Sequence, residues 1–211
     1  MKHVKMLGLA AAAAAALTAF VGASTASATV LCSEPGTGSG TTCPAGKAYP
    51  ASTPIHAVNQ GIIRLTTEFL TVECEESTIQ GSTNNEGGAS ETVTIANSTW
   101  NLLFCNCEVS VIKDGSLEVH WISNTSNGTL TSSGAEITFQ CTVPLIGKVH
   151  CIIVTSSTDL GTLTGGAPAE IDIPSANIPR LTTSSFCDKT ANLDASYRVT
   201  GPSPLYVTGH T

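Results

Sequence analysis

Eight cysteines constrain this chain more than any other feature: Cys32, Cys43, Cys74, Cys105, Cys107, Cys141, Cys151 and Cys187. All of them follow an export signal. Residues 1–5 form a short basic region and residues 6–21 an alanine-rich apolar run. Ala26-Ser27-Ala28 then offers small residues at the two positions a signal peptidase reads. Cleavage is expected before Thr29, making residues 1–28 a signal peptide. The apolar run approaches the length of a membrane-spanning helix, but alanine is weakly apolar and the cleavage site follows at once, so release outranks anchoring. Lipidation at Cys32 would need a small residue before it, and Leu31 stands there. No membrane insertion is expected after cleavage.

An even cysteine count in an exported chain predicts a framework of four disulfides. Cys32 and Cys43 bracket a loop containing Pro35, Gly36, Gly38 and Gly40, flexible enough to close on itself. Cys141 and Cys151 flank Pro144-Leu145-Ile146-Gly147, so a hairpin is expected to bring them together. Cys105 and Cys107 lie two apart in a strand-like run. Their Cβ atoms then point the same way from Cα atoms about 6.8 Å apart, which is poor geometry for a mutual bond. Each therefore needs another partner, and Cys74 and Cys187 remain, with either assignment open. Zinc sites favour C-x₂₋₄-C pairs in sets, and neither that pattern nor C-x-x-C occurs, so structural bonds outrank metal or redox chemistry.

Removing residues 1–28 from the 211-residue chain leaves 183, and takes away Lys2 and Lys5, so the formal charge moves from -7 to -9. That acidity, without any Lys/Arg cluster, argues against nucleic acid and anionic membrane partners. Only 12% of residues are charged and 41% are hydrophobic, so the chain has the means to fold. Residues 29–54 form a loop-rich lead-in, and residues 55–211 a single β-rich domain. There, short β-branched runs alternate with turn residues. Ile63-Arg64-Leu65, residues 70–74 and residues 91–95 alternate as half-buried strands, with a polar break at residues 82–88. Cys105, Cys107, Val109 and Val111 share a face, and Asp114-Gly115 marks a hairpin turn to Leu117, Val119 and Trp121. Ile137, Phe139, Cys141 and Val143 face inward, answered by Val149, Cys151 and Ile153. Leu193, Ala195, Tyr197 and Val199 form a late strand, and residues 205–207 an edge. Nine to eleven such strands predict an all-β, disulfide-stapled antiparallel β-sandwich, Ig-like in architecture, with a barrel as second choice. Asp194 and Tyr197 resemble a tyrosine corner, although Val199 occupies the place of the expected cysteine.

Three stretches carry a resemblance: Cys105-Asn106-Cys107-Glu108-Val109, residues 159–166 (DLGTLTGG) and residues 197–202 (YRVTGP). With the closing Pro204-Leu205-Tyr206-Val207 and the alanine-rich signal, they are similar to a group of secreted, cysteine-containing actinobacterial proteins without established activity. The resemblance implies a bacterial exported protein and carries over no functional residue.

Catalytic motifs are missing. Residues 36–40 (GTGSG) do not centre a serine as G-x-S-x-G requires, and Thr41 breaks G-x-G-x-x-G. Glu118 and His120 share a strand face and suggest a base with a carboxylate partner, but alternation alone places polar residues two apart on a solvated face. His150 is likewise outward, and His56 and His210 stand alone. Glu73, Glu75 and Glu76 surround Cys74 without any calcium-loop pattern. Sequons at Asn97, Asn124 and Asn127 carry no weight in a bacterial protein. No cofactor or metal is expected. The sequence thus points to an exported non-enzymatic structural or binding protein, released or loosely envelope-associated, with envelope or extracellular polysaccharide as partner. A secreted polysaccharide hydrolase using Glu118, His120 or Asp172 is the alternative.

Overall fold

The computed structural model describes residues 28–38, 42–85, 92–181 and 186–209. Residues 1–27, which hold the expected signal peptide except its last residue, lie outside these residues, as do His210 and part of the polar break. The described residues form strands only. In chain order they are β1 (Thr29–Cys32), β2 (Pro54–Asn59), β3 (Ile63–Thr66), β4 (Thr71–Thr83), β5 (Thr92–Cys105), β6 (Glu108–Lys113) and β7 (Gly115–Trp121). There follow β8 (Gly128–Ser133), β9 (Glu136–Val143), β10 (Gly147–Val154), β11 (Thr158–Thr164), β12 (Glu170–Pro179), β13 (Thr190–Gly201) and β14 (Tyr206–Gly209).

The large sheet runs β12-β11-β8-β7-β5-β4-β2-β13, and β13 pairs back onto β12, closing eight antiparallel positions into a barrel. The architecture is therefore the barrel, not the Ig-like sandwich placed first. β2 and β3 share one position between β4 and β13, as a single strand broken at residues 60–62. Wall strands follow one another in chain order, as in an up-and-down barrel. Two excursions interrupt them: β6 leaves between β5 and β7, and the β9–β10 hairpin between β8 and β11. These join as a separate sheet, β10-β9-β6, which lies over one end of the barrel as a lid.

Why the sheet closes is visible in its irregularities. The inward series on β5 steps from Ile95 to Ser98 through Asn97 (φ 51°), and on β12 from Ile173 to Ala176 through Ser175 (φ 60°). On β11 the step falls at Gly161 (φ 147°), where a Cβ would collide with the Asp172 carbonyl. Bulges of this kind bend and coil a strand, and several around one sheet carry its edges together. Inward-facing Tyr197, Ile79, Leu117, Leu130, Leu163 and Ile173 fill the lumen.

Alternation placed the inward residues correctly on β7, β9, β10 and β13. The Asp114-Gly115 hairpin is overturned. β6 pairs with β9, whereas β7 pairs with β5 and β8, so Asp114 marks a crossing from lid to wall. Gly115 is needed for close approach: a Cβ there would stand 2.6 Å from the Ala135 nitrogen and 2.7 Å from the Ser133 carbonyl oxygen. Of residues 205–207, Tyr206 and Val207 belong to β14, which pairs with β1, while Leu205 bridges Gly166. β1 is buried throughout, so the expected loop-rich lead-in starts with a core strand.

Four disulfides are present: Cys32–Cys43, Cys74–Cys105, Cys107–Cys141 and Cys151–Cys187. They suit an oxidising compartment. The first pair matches expectation, and Cys105 takes Cys74, one of its two expected partners; Cys107 pairs with Cys141 and not with Cys74 or Cys187, and the Cys141–Cys151 bond does not form. In the β9–β10 ladder Cys141 faces Val149 and Cys151 faces Phe139. The two cysteines are thus diagonal neighbours, about 7–8 Å apart and beyond disulfide reach. Each instead bonds outside the hairpin. Cys107 ties the lid to the bend after β5, and Cys187 ties it to the segment between β12 and β13.

Candidate functional site

The residues singled out in the sequence do not converge. Glu118 and His120 lie on the outer face of β7, opposite Leu117, Val119 and Trp121. Asp172 lies on the outer face of β12, where Ser196 Oγ donates to its Oδ1 at 3.1 Å. Along the wall β7 and β12 are three strand spacings apart, roughly 14 Å, on a convex surface. His56 Nδ1 meets Thr200 Oγ1 at 2.8 Å on β2 and β13. His150 Nε2 meets Thr138 Oγ1 at 2.6 Å on the lid. All eight cysteines are in disulfides, and none is a free thiol, so redox chemistry through Cys105 and Cys107 lacks its reagent. Among the described residues no three His, Cys, Asp or Glu side chains are gathered as a metal site.

A surface recess lies elsewhere, where the wall changes phase. The buried series on β4 runs Val72, Cys74, then Ser77, Ile79, leaving Glu75 and Glu76 both outside. β5 slips in step: Leu103 and Phe104 both face solvent, Phe104 with φ 52°. Alongside, the β2–β3 strand is broken, and Asn59 patches the gap. Its Nδ2 donates to the carbonyls of Glu75 (2.8 Å) and Gly61 (2.6 Å), and its Oδ1 accepts from Ser77 N at 2.9 Å.

The result is a groove of about 200 Å³ lined by Val58, Asn59, Glu76, Thr78, Asn101 and Leu103 with the backbone of Ser77. Val58, Thr78 and Asn101 stand in one row across β2, β4 and β5, with Glu76 opposite Leu103 in the next. The carboxylate of Glu76, the hydroxyl of Thr78 and the carboxamide of Asn101 make no side-chain hydrogen bond among the described residues. They surround the aliphatic surfaces of Val58 and Leu103. Arg198, which neighbours Val58 on β13, donates to Gln60 Oε1 at 3.1 Å. A smaller polar recess of about 90 Å³ lies on the outer face of the lid, lined by Glu108, Ser110, Thr138, Gln140 and His150.

Behind the groove the lumen is closed. Tyr197 Oη and Ser77 Oγ share a hydrogen bond of 3.0 Å, and Trp100 meets Tyr197 edge to face at 5.7 Å. Burial pushes the Tyr197 phenol well above its ordinary range, against a smaller opposing pull from Ser77. The phenol therefore stays protonated, and it holds Ser77 beneath the groove floor. Under the lid, the space between wall residues such as Ile63, Leu65 and Leu102 and lid residues Val109 and Phe139 is about 30 Å³ and lined by apolar side chains. A gap of that size and lining stays dry.

Sequence reasoning passed over Glu76 as solvated charge and did not reach Asn101, Thr78 or Val58. The available signal was the odd step between Cys74 and Ser77 in an otherwise alternating strand. No protein-family model, curated protein or solved structure matches the chain.

Proposed function

We propose that this is an exported binding module that holds a polysaccharide of the cell envelope or its surroundings in the groove between β2, β4 and β5. The observation that carries this reading is the groove's chemistry. Three side chains without hydrogen-bond partners among the described residues flank exposed Leu103 and half-buried Val58. A sugar ring has the matching surface, with hydroxyls at its rim for the carboxylate and carboxamide and C–H groups for the aliphatic floor. The export signal, the four disulfides and the resemblance to exported actinobacterial proteins support a place outside the cytoplasm. Glu118, His120 and Asp172 have no part in this reading.

Retention of the oxidised protein on isolated envelope polysaccharide tests the proposal. Wild type should be retained, and Glu76→Gln with Asn101→Ala should weaken retention about tenfold or more, as expected when two hydrogen bonds to a ligand are lost. Equal retention of the double variant, or no retention of wild type, would contradict it.

A further inference from the structure

The two edges of the lid sheet differ. Beyond β10 the chain that follows β12 lies alongside: Leu181 N donates to the Ile152 carbonyl at 2.7 Å, Ile153 bridges to Arg180, and Cys151 is tied to Cys187. Beyond β6 there is no such cover. Among the described residues β6 pairs with β9 alone, and no other backbone hydrogen bond reaches residues 108–113. The side chains record the difference. Val149, Cys151 and Ile153 on β10 are buried, whereas Val109 and Val111 on β6 are half-buried and Ile112, at the β6 bulge, is 52% exposed. β5, which leads into β6, is also open on one side: it pairs with β7 as far as Ser98, and beyond that only β4 flanks it.

An open strand edge ordinarily carries charge that deters pairing. β6 carries two charges, of opposite sign and one at each end, Glu108 and Lys113. Ile112 is the extra residue of the bulge against β9, so the ladder positions of β6 are 108, 109, 110, 111 and 113, with Ser110 in the middle. An antiparallel pairing of this strand with its own copy about Ser110 sets Ser110 against the second copy's Ser110, Val109 against the second copy's Val111, and Glu108 against the second copy's Lys113. Each pair then shares one face of the sheet. Both charges remain available for it. Lys113 Nζ is 3.4 Å from Glu136 Oε1 with its side chain 61% exposed, and Glu108 Oε2 accepts from Gln140 Nε2 at 3.4 Å.

We infer that the β6 edge is a self-association surface, through which two copies join about a two-fold axis and extend the lid into one six-stranded antiparallel sheet. This goes beyond the groove, which lies on the wall, and does not depend on it. Charge complementarity selects a second copy as the occupant, because the edge matches itself in one register: a shifted register parts the opposite charges, and a parallel one brings like ends together. The net negative charge of the chain is screened within about 8 Å at physiological salt, and the two charges of the edge itself cancel.

Sedimentation equilibrium of the full oxidised protein tests the inference. Wild type should dimerise. E108K and K113E each set like charges opposite one another twice in the dimer and should weaken it about tenfold or more. The double variant E108K/K113E restores opposite charges at both positions and should recover the dimer. Loss of the Glu136 contact cannot account for that recovery, because the double variant lacks the contact as well. Hydrogen exchange gives a second reading without any substitution: the β6 amides that do not bond to β9 should gain protection as concentration rises. A wild type that stays monomeric, single variants that dimerise as tightly as wild type, or a double variant that does not recover would each overturn the inference. So would β6 amides that exchange independently of concentration, as they would if the dimer used another surface or the edge took a strand from a different protein.

Discussion

The two ends of the barrel are closed by different means. At one end, β1 and β14 pair beneath the turns that join β7 to β8 and β11 to β12, and polar groups do the sealing. Asn85 is buried. Its Oδ1 accepts from Leu31 N at 2.7 Å, and its Nδ2 donates to the carbonyls of Leu31 and Tyr49. Thr29 Oγ1 accepts from Trp121 N at 2.9 Å, and Val207 N donates to the Ser126 carbonyl at 3.0 Å. One disulfide, Cys32–Cys43, lies there. At the lid end the seal is apolar packing between two sheets, held by Cys74–Cys105, Cys107–Cys141 and Cys151–Cys187. Exposed Phe69, Phe104, Leu145, Leu181 and Phe186 all belong to that end. An end closed by matched hydrogen bonds has its register fixed. An end closed by packing under covalent ties keeps apolar side chains on show.

The largest expected effect follows from the ties. Replacing Cys151 and Cys187 by serine frees a 36-residue loop, against 11 for Cys32 and Cys43. Chain entropy puts the losses at about 4 and about 3 kcal/mol respectively. Denaturant unfolding of the two double variants should show that order, and limited proteolysis should cut the lid in the first variant only. Equal losses would mean that the lid is held by more than its disulfides.

Next comes the polar seal. Asn85→Ala strands the buried Leu31 N–H and takes a donor from the Tyr49 carbonyl, while the Leu31 carbonyl keeps the Tyr49 N–H, at a cost of about 1–3 kcal/mol. Hydrogen exchange should show the Leu31 amide losing protection while the amides of β9 and β10 keep theirs. Loss at both ends together would show that the barrel opens as one unit.

A smaller effect sharpens the view of the shared lumen. The folded state holds the Tyr197 phenol protonated beyond the 10.0 of a free tyrosine. Its contribution is thus complete below pH 10 and is lost as pH rises above it. Wild type should lose stability more steeply than Tyr197→Phe above pH 10, with parallel curves below. Parallel curves throughout would indicate that the phenol is not enclosed.

Alternation made much of the wall legible. Leu117, Val119 and Trp121, the β9–β10 hairpin and the run from Leu193 to Val199 all face inward as their period of two requires. What alternation cannot carry is which strand lies beside which. Asp114-Gly115 has the residues of a hairpin turn, yet its flanking strands enter different sheets, β6 beside β9 and β7 between β5 and β8. The cysteine pairs were hidden for the same reason: Cys141 and Cys151 are near in sequence and share a face, but a two-residue offset in register parts them. The groove was less legible still. It arises from a phase slip shared by β4, β5 and the broken β2–β3 strand, and only the step from Cys74 to Ser77 shows it in the sequence.

The most direct test of a barrel with a disulfide-tied lid is tryptic peptide mapping of the native protein without reduction. Cleavage after Lys113, Lys148, Arg180 and Lys189 places Cys107, Cys141, Cys151 and Cys187 in four separate peptides. The account expects the peptide ending at Lys113 joined to residues 114–148, and residues 149–180 joined to residues 181–189. Residues 114–148 joined instead to residues 149–180 would mean that the hairpin closes on itself, and the lid as described here would not exist.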